Sequence, residues 1–158
     1  MRRLKLYLDT SVISHLLADD TPDKMKDSIK LWDNCINGEY EIFISDVVIN
    51  EIMQCAEPKR SQMLDKMRLI EFSILPVKDE IDELADEYIK GGVLKEKNLD
   101  DCLHIAYAVV NNCDVIVSWN FKHLVNFNTI DKVRVVNTIN RYKEISIISP
   151  TMLIGEGD

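Results

Sequence analysis

The sequence predicts an α/β fold: three α/β/α layers around a mainly parallel sheet of about five strands. Three observations carry that expectation. Strand-like and helix-like segments alternate along the chain, the pattern of a sheet covered by helices on both faces. No repeat, low-complexity stretch or linker interrupts them. The 158 residues suffice for one domain with one sizeable core. We therefore expect a single domain over residues 1–150, followed by a short tail over 151–158.

The elements follow in order. Leu4 to Leu8 reads as the first strand, and Asp9 ends it. A short helix comes next, with Val12-Ile13 and Leu16-Leu17 four residues apart. Thr21-Pro22-Asp23 starts a second helix with proline in its first turn. Met25, Ile29, Trp32 and Ile36 share one face of it, and Asn37-Gly38 ends it. Glu41 to Ser45 is the second strand. A helix from Asp46 to Cys55 follows, and Pro58 restarts another in which Met63, Met67 and Ile70 align. Phe72 to Val77 reads as a third strand broken by Pro76. Ile81, Leu84, Ala85 and Tyr88 mark a helix that stops at Gly91-Gly92. Asn98 is placed to cap a helix running to Asn112. Asp114 to Ser118 is the fourth strand, and Asn120 to Asn126 is expected to form one or two helical turns. Residues 129–142 are expected to be helical, and Ile145 to Ser149 to form a fifth strand closed by Pro150.

In such a fold, active residues belong at the carboxyl ends of the strands. Asp9 stands there, although it also fits a plain helix N-cap. Glu51 falls on a helical wheel among Val47, Val48, Ile52 and Cys55, an apolar sector where a carboxylate needs a partner. That partner is either a shared site or a buried Lys or Arg. Asp100 and Asp101 open a helix after Asn98, where acids complement the dipole and resemble a capping box. Periodicity does not choose between them. Asn120 follows the fourth strand and suits a helix N-cap or a neutral oxygen ligand. His15, His104 and His123 lack metal-ligand spacing, and His104 lies one turn from Asp101.

Acids gathered at one spot repel. Two unit charges about 4 Å apart cost about 4 kcal/mol at an effective dielectric of about 20. A hard divalent cation bound through oxygen removes that penalty, so the acids point to a metal-dependent enzyme acting on phosphate.

Composition bounds the rest. Apolar residues make up 46% and charged residues 29%, as in a globular chain. No apolar run reaches the length of a membrane span. Lys5 and Asp9 interrupt the stretch that a signal peptide would need after Arg2-Arg3, so the expected location is the cytoplasm. Cys35, Cys55, Cys102 and Cys113 form no CxxC pair and read as reduced core residues. The net charge of −8 argues against non-specific binding to nucleic acid, so any nucleic-acid contact requires a local basic patch or a basic partner. Lys122, His123, Arg134 and Arg141 are the candidates for phosphate contacts.

Four segments taken together resemble the PIN domain family, in particular VapC-type toxins and their stand-alone relatives. They are Leu6-Tyr7-Leu8-Asp9-Thr10-Ser11, Ser45-Asp46-Val47-Val48-Ile49-Asn50-Glu51-Ile52, Asp101-Cys102-Leu103-His104-Ile105-Ala106-Tyr107-Ala108 and Val115-Ile116-Val117-Ser118-Trp119-Asn120-Phe121-Lys122-His123-Leu124. The resemblance favours Asp101 over Asp100. It implies that Asp9, Glu51 and Asp101 bind Mg²⁺ or Mn²⁺ and support hydrolysis of RNA phosphodiesters, with Asn120 as a further metal-ligand candidate. It also implies a homodimer and, for a toxin, an antitoxin protein partner, with no membrane association. Many members carry a fourth acid where this chain has Asn120, a change that weakens a second metal site and favours a one-metal mechanism. Glu51 is the expected proton acceptor, on condition that burial raises its pKa.

Three other readings compete. A haloacid dehalogenase phosphatase needs a second Asp where this chain has Ser11. A receiver domain needs an acid pair after the first strand, and Asp46 is a poor phosphoacceptor because Ser45-Asp46 reads as a helix start. The third is a PIN-like scaffold that binds RNA or a protein without turnover.

Overall fold

The computed structural model describes residues 2–155. Five strands, β1 (Lys5–Leu8), β2 (Glu41–Ile44), β3 (Ser73–Ile74), β4 (Val115–Val117) and β5 (Ser146–Ile148), form one sheet in the order β3-β2-β1-β4-β5. Every pairing is parallel, so the expected mainly parallel sheet is wholly so. Eight helices flank it in three α/β/α layers among the described residues: α1 (Thr10–Ser14), α2 (Pro22–Ile36), α3 (Asp46–Met53), α4 (Lys59–Met67), α5 (Asp79–Lys90), α6 (Leu99–Val110), α7 (Phe127–Ile139) and α8 (Pro150–Ile154).

β1 lies at the centre, with Leu6 opposite both Ile42 of β2 and Val115 of β4. Leu6, Tyr7 and Leu8 are fully buried, as are Ile116 and Val117 beside them. A parallel strand covered on both faces needs apolar side chains at every position, and these runs supply them. The strand order reverses between β1 and β4, which places a crevice at their carboxyl ends.

The helices obey local chemistry. α5 carries Asp79, Glu80 and Asp82 in its first turn and Lys90 in its last, matching the dipole at both ends. It ends at Gly91-Gly92, and Gly92 takes the left-handed φ of +74° that favours glycine. α7 is capped by Asn126, whose Oδ1 accepts the Thr129 N–H at 2.8 Å.

Several expectations need correction. The third strand is only Ser73–Ile74, exposed at the sheet edge, rather than Phe72 to Val77. Asn120 to Asn126 forms turns rather than a helix, because asparagine side chains at both ends bond to nearby backbone. Asn120 Oδ1 accepts the His123 N–H, and Asn126 Nδ2 donates to the Phe121 and Lys122 carbonyls. Asn98 holds the N-cap position of α6, but its side chain makes no capping bond. Beyond residue 150, where a tail was expected, α8 packs along α2, and Thr151 Oγ1 donates to Asp27 Oδ2. Residues 156–158 lie outside the described residues. All four cysteines are free; Cys35, Cys102 and Cys113 are buried and Cys55 is half-buried. No helix among the described residues is long and apolar enough to cross a membrane.

Candidate active site at the carboxyl edge of the sheet

Asp9 leaves β1 at its carboxyl end and is 4% exposed. It occupies the N-cap position of α1, yet makes no capping hydrogen bond; the Val12 amide faces the carboxylate without reaching capping geometry. Its oxygens are held elsewhere. Ser11 Oγ donates to Oδ1 and Ser118 Oγ donates to Oδ2, each at 2.5 Å. The two serines are fixed in turn: Ser11 Oγ accepts the Trp119 N–H at 2.8 Å and Ser118 Oγ accepts the Asn120 N–H at 2.9 Å. The backbone after β4 thus clamps the acid after β1 across the crevice.

Glu51 enters from α3 and is half-buried. Its Oε1 accepts from Thr10 Oγ1 at 2.7 Å and from His104 Nε2 at 2.8 Å. The partner that the apolar sector demanded is therefore a histidine from α6, not a Lys or Arg. His104 is 2% exposed, and its other nitrogen, Nδ1, lies 2.7 Å from Tyr7 Oη, which lies 2.7 Å from Ser45 Oγ. A buried chain of contacts therefore runs from Ser45 through Tyr7 and His104 to Glu51 and Thr10. The sequence placed His104 one turn from Asp101. Its contacts lie with Tyr7 and Glu51, 97 and 53 residues away.

Asp101 stands in the first turn of α6, and its Oδ2 accepts from His123 Nδ1 at 2.9 Å. Asp100 beside it is exposed. Asn120 reaches the same edge, but its Oδ1 takes the His123 N–H, so this oxygen shapes the turn.

The charges interact around one imidazole. Burial alone would lower the His104 pKa, but the Glu51 hydrogen bond and the charges of Asp9, Glu51 and Asp101 outweigh it and raise it. Burial raises Asp9, against the pull of His104, Ser11 and Ser118. Burial also raises Asp101, against His104 and His123. Glu51 moves the other way. Burial pushes it up, but the His104 hydrogen bond and charge and the Thr10 hydroxyl pull it below the usual value. The condition attached to Glu51 as proton acceptor is therefore not met. The reason is the His104 contact, which helical periodicity does not reveal.

Among the described residues, no three His, Cys, Asp or Glu side chains are gathered so as to hold a metal ion between them. The donor chemistry nevertheless suits a small hard cation. Glu51 Oε2 and Asp101 Oδ1 accept no protein hydrogen bond among the described residues. Mg²⁺ commonly takes one or two carboxylates and keeps several waters, so it does not require a preformed protein cage.

The match to a family model decides the membership: the model for the PIN domain covers residues 6–122. The chain belongs to the PIN domain family. The matched span contains Asp9, Glu51, Asp101 and Asn120. PIN domains are generally nucleases that depend on divalent metals. Among solved structures, this PIN domain is similar to a chain of VapBC2 from Rickettsia felis, a complex solved bound to a DNA fragment from their promoter. The two are 16% identical with a TM-score of 0.57, over 92% of this chain and 98% of that one. At that identity the likeness concerns the fold. No curated protein matches this PIN domain by sequence.

Proposed function

We propose that this PIN domain is a metal-dependent endoribonuclease, the toxin of a toxin–antitoxin pair. The observation that carries the reading is the arrangement of Asp9, Glu51 and Asp101. They come from the end of β1, from α3 and from α6, and all three act on the single buried imidazole of His104. Asp9, Glu51 and Asp101 would hold Mg²⁺ or Mn²⁺, with Asn120 left outside the set. When bound, such an ion activates water and stabilises charge on the scissile phosphate.

The chain's own residues prepare that chemistry. The serine clamp fixes both Asp9 oxygens. His104 and Thr10 orient Glu51 and leave its second oxygen free, and His123 does the same for Asp101. The PIN-VapC likeness in fold supports an antitoxin protein as partner, and a homodimer belongs to the same proposal.

A second reading has its own observation. Each acid already accepts a protein hydrogen bond and no three such side chains are gathered to hold a metal ion among the described residues, which favours a scaffold that binds without turnover. RNA cleavage by the purified protein in Mg²⁺, in Mn²⁺ and in EDTA separates the two. The ribonuclease cleaves only with metal. A folded protein that cleaves under none of these conditions is the scaffold.

A further inference from the structure

A cleft of about 800 Å³ opens beside the acids, lined by Lys95, Lys97, Lys122 and His123 over an apolar floor that includes Val93 and Leu94. Three lysines face one acid there, Glu96, in a chain whose net charge is −8. This is the local basic patch that contact with RNA requires. The cleft adjoins the site directly, because His123 both lines it and bonds Asp101. Of the other phosphate candidates, Arg134 is paired with Asp131 on the surface of α7.

A second feature lies on the Asp9 side. Phe121 is 45% exposed although it is a large apolar ring on a turn. Trp119 meets it edge-on at 6.2 Å, and the Lys24 ammonium sits 5.3 Å from its centre. This shelf is anchored. Trp119 Nε1 donates to Ser28 Oγ at 2.8 Å, and the Trp119 N–H bonds the Ser11 hydroxyl that holds Asp9. An exposed ring next to an ammonium offers a stacking face and a phosphate partner together, the chemistry that binds single-stranded nucleic acid.

Phe121, Lys122 and His123 are consecutive, so one turn joins shelf and cleft across the acids. We infer that single-stranded RNA crosses the site along this turn, with a nucleobase stacked on Phe121 and backbone phosphates on Lys95, Lys97 and Lys122. The inference rests on the ribonuclease reading and names how its substrate is held. Cations facing a polyanion, beside a ring that stacks any base, specify a single strand of loose sequence preference rather than a duplex, whose bases are already stacked.

The test is anisotropy of a fluorescein-labelled short single-stranded RNA on the Asp9→Asn protein in Mg²⁺, titrated across salt. The Lys95→Ala/Lys97→Ala pair is expected to weaken binding and to flatten the slope of log affinity against log salt by about 1.4, at about 0.7 for each phosphate no longer neutralised. Phe121→Ala is expected to weaken binding roughly tenfold with the slope unchanged, because stacking releases no counterions. Phe121→Leu, which keeps apolar bulk and removes the ring, is expected to follow it. The same RNA annealed to its complement is expected to be indifferent to Phe121. Lys143→Ala, close to Asp114 at the opposite edge of the sheet, is expected to change nothing.

Parent-like affinity and slope in the lysine and Phe121 variants overturn the inference. So does lysine-dependent binding of polyglutamate with no binding of RNA, which would make the cleft a protein-docking site. The ribonuclease reading and the RNA track fail separately. Wild-type protein that cleaves RNA while the variants bind normally removes the track alone. Protein that never cleaves, but loses RNA affinity as described, removes the ribonuclease reading and keeps the track.

Discussion

Replacing His104 with alanine tests whether the acid site depends on its buried imidazole. The ring is 2% exposed, so its bonds form out of bulk water. The 2.8 Å bond to Glu51 reaches a carboxylate, and a hydrogen bond to a charged group has a net worth of about 1.5–3 kcal/mol. Glu51 is half-buried and keeps Thr10, which places the loss near the lower figure. The 2.7 Å contact with Tyr7 adds about 1 kcal/mol. Tyr7 Oη retains Ser45, so no buried hydroxyl is orphaned. The sum is about 2.5 kcal/mol, or a fall in Tm of roughly 5–10 °C for a chain of this size. His123→Ala provides the contrast. That ring is 25% exposed and bonds a carboxylate that is 20% exposed, so its loss is about 1 kcal/mol or less. Urea denaturation of wild type and both variants at neutral pH measures the difference. Equal losses for His104→Ala and His123→Ala would refute the claim that His104 organises the site.

Three further outcomes follow from the same structure. Asp100→Asn is expected to leave metal-dependent RNA cleavage within about twofold of wild type, since Asp100 is exposed beside the acid that faces His123, and an activity assay on the purified variant checks it. Asp114 is held at about 2 by the Arg2 guanidinium and the Lys5 amide. A lowered carboxylate pKa contributes stability above the unfolded value of about 4, which fades as pH falls towards 2. Asp114→Asn should therefore lose up to about 1 kcal/mol at neutral pH after allowance for solvent screening, and progressively less as pH falls through the folded pKa, as read by denaturation across pH. Gly91→Ala would place a Cβ 2.8 Å from Val136 Cγ2 and is expected to lose about 1–3 kcal/mol, measured by thermal unfolding.

The parts of this molecule legible in its sequence are those that depend on near neighbours. β1 and its terminal Asp9 could be read because an apolar run, an acid and a helix start adjoin one another. Glu51 could be read because its apolar wheel sector demanded a partner, although the partner's identity was hidden. Periodicity alone left Asp100 and Asp101 tied, and the family resemblance favoured Asp101, which is the one of the two that bonds His123. The rest depends on contacts far apart in the chain. The serine clamp joins Ser118 to Asp9 across 109 residues, and Tyr7 meets His104 across 97. The third strand was overestimated because Phe72 to Val77 is apolar in composition but lies at an edge, where only Ser73 and Ile74 pair. The turn after β4 was read as helical because side-chain capping by Asn120 and Asn126 competes with the helix in a way that periodicity does not register. The lysine cleft is built from two loops, so no single stretch announces it.

The central claim is that Asp9, Glu51 and Asp101 act as one metal-dependent unit on RNA. Single-turnover cleavage of RNA in Mg²⁺ by wild type, Asp9→Asn, Glu51→Gln and Asp101→Asn tests it most directly. The account predicts that each variant, while still folded, falls to the rate wild type shows in EDTA. Full metal-dependent cleavage by any one of the three would contradict it.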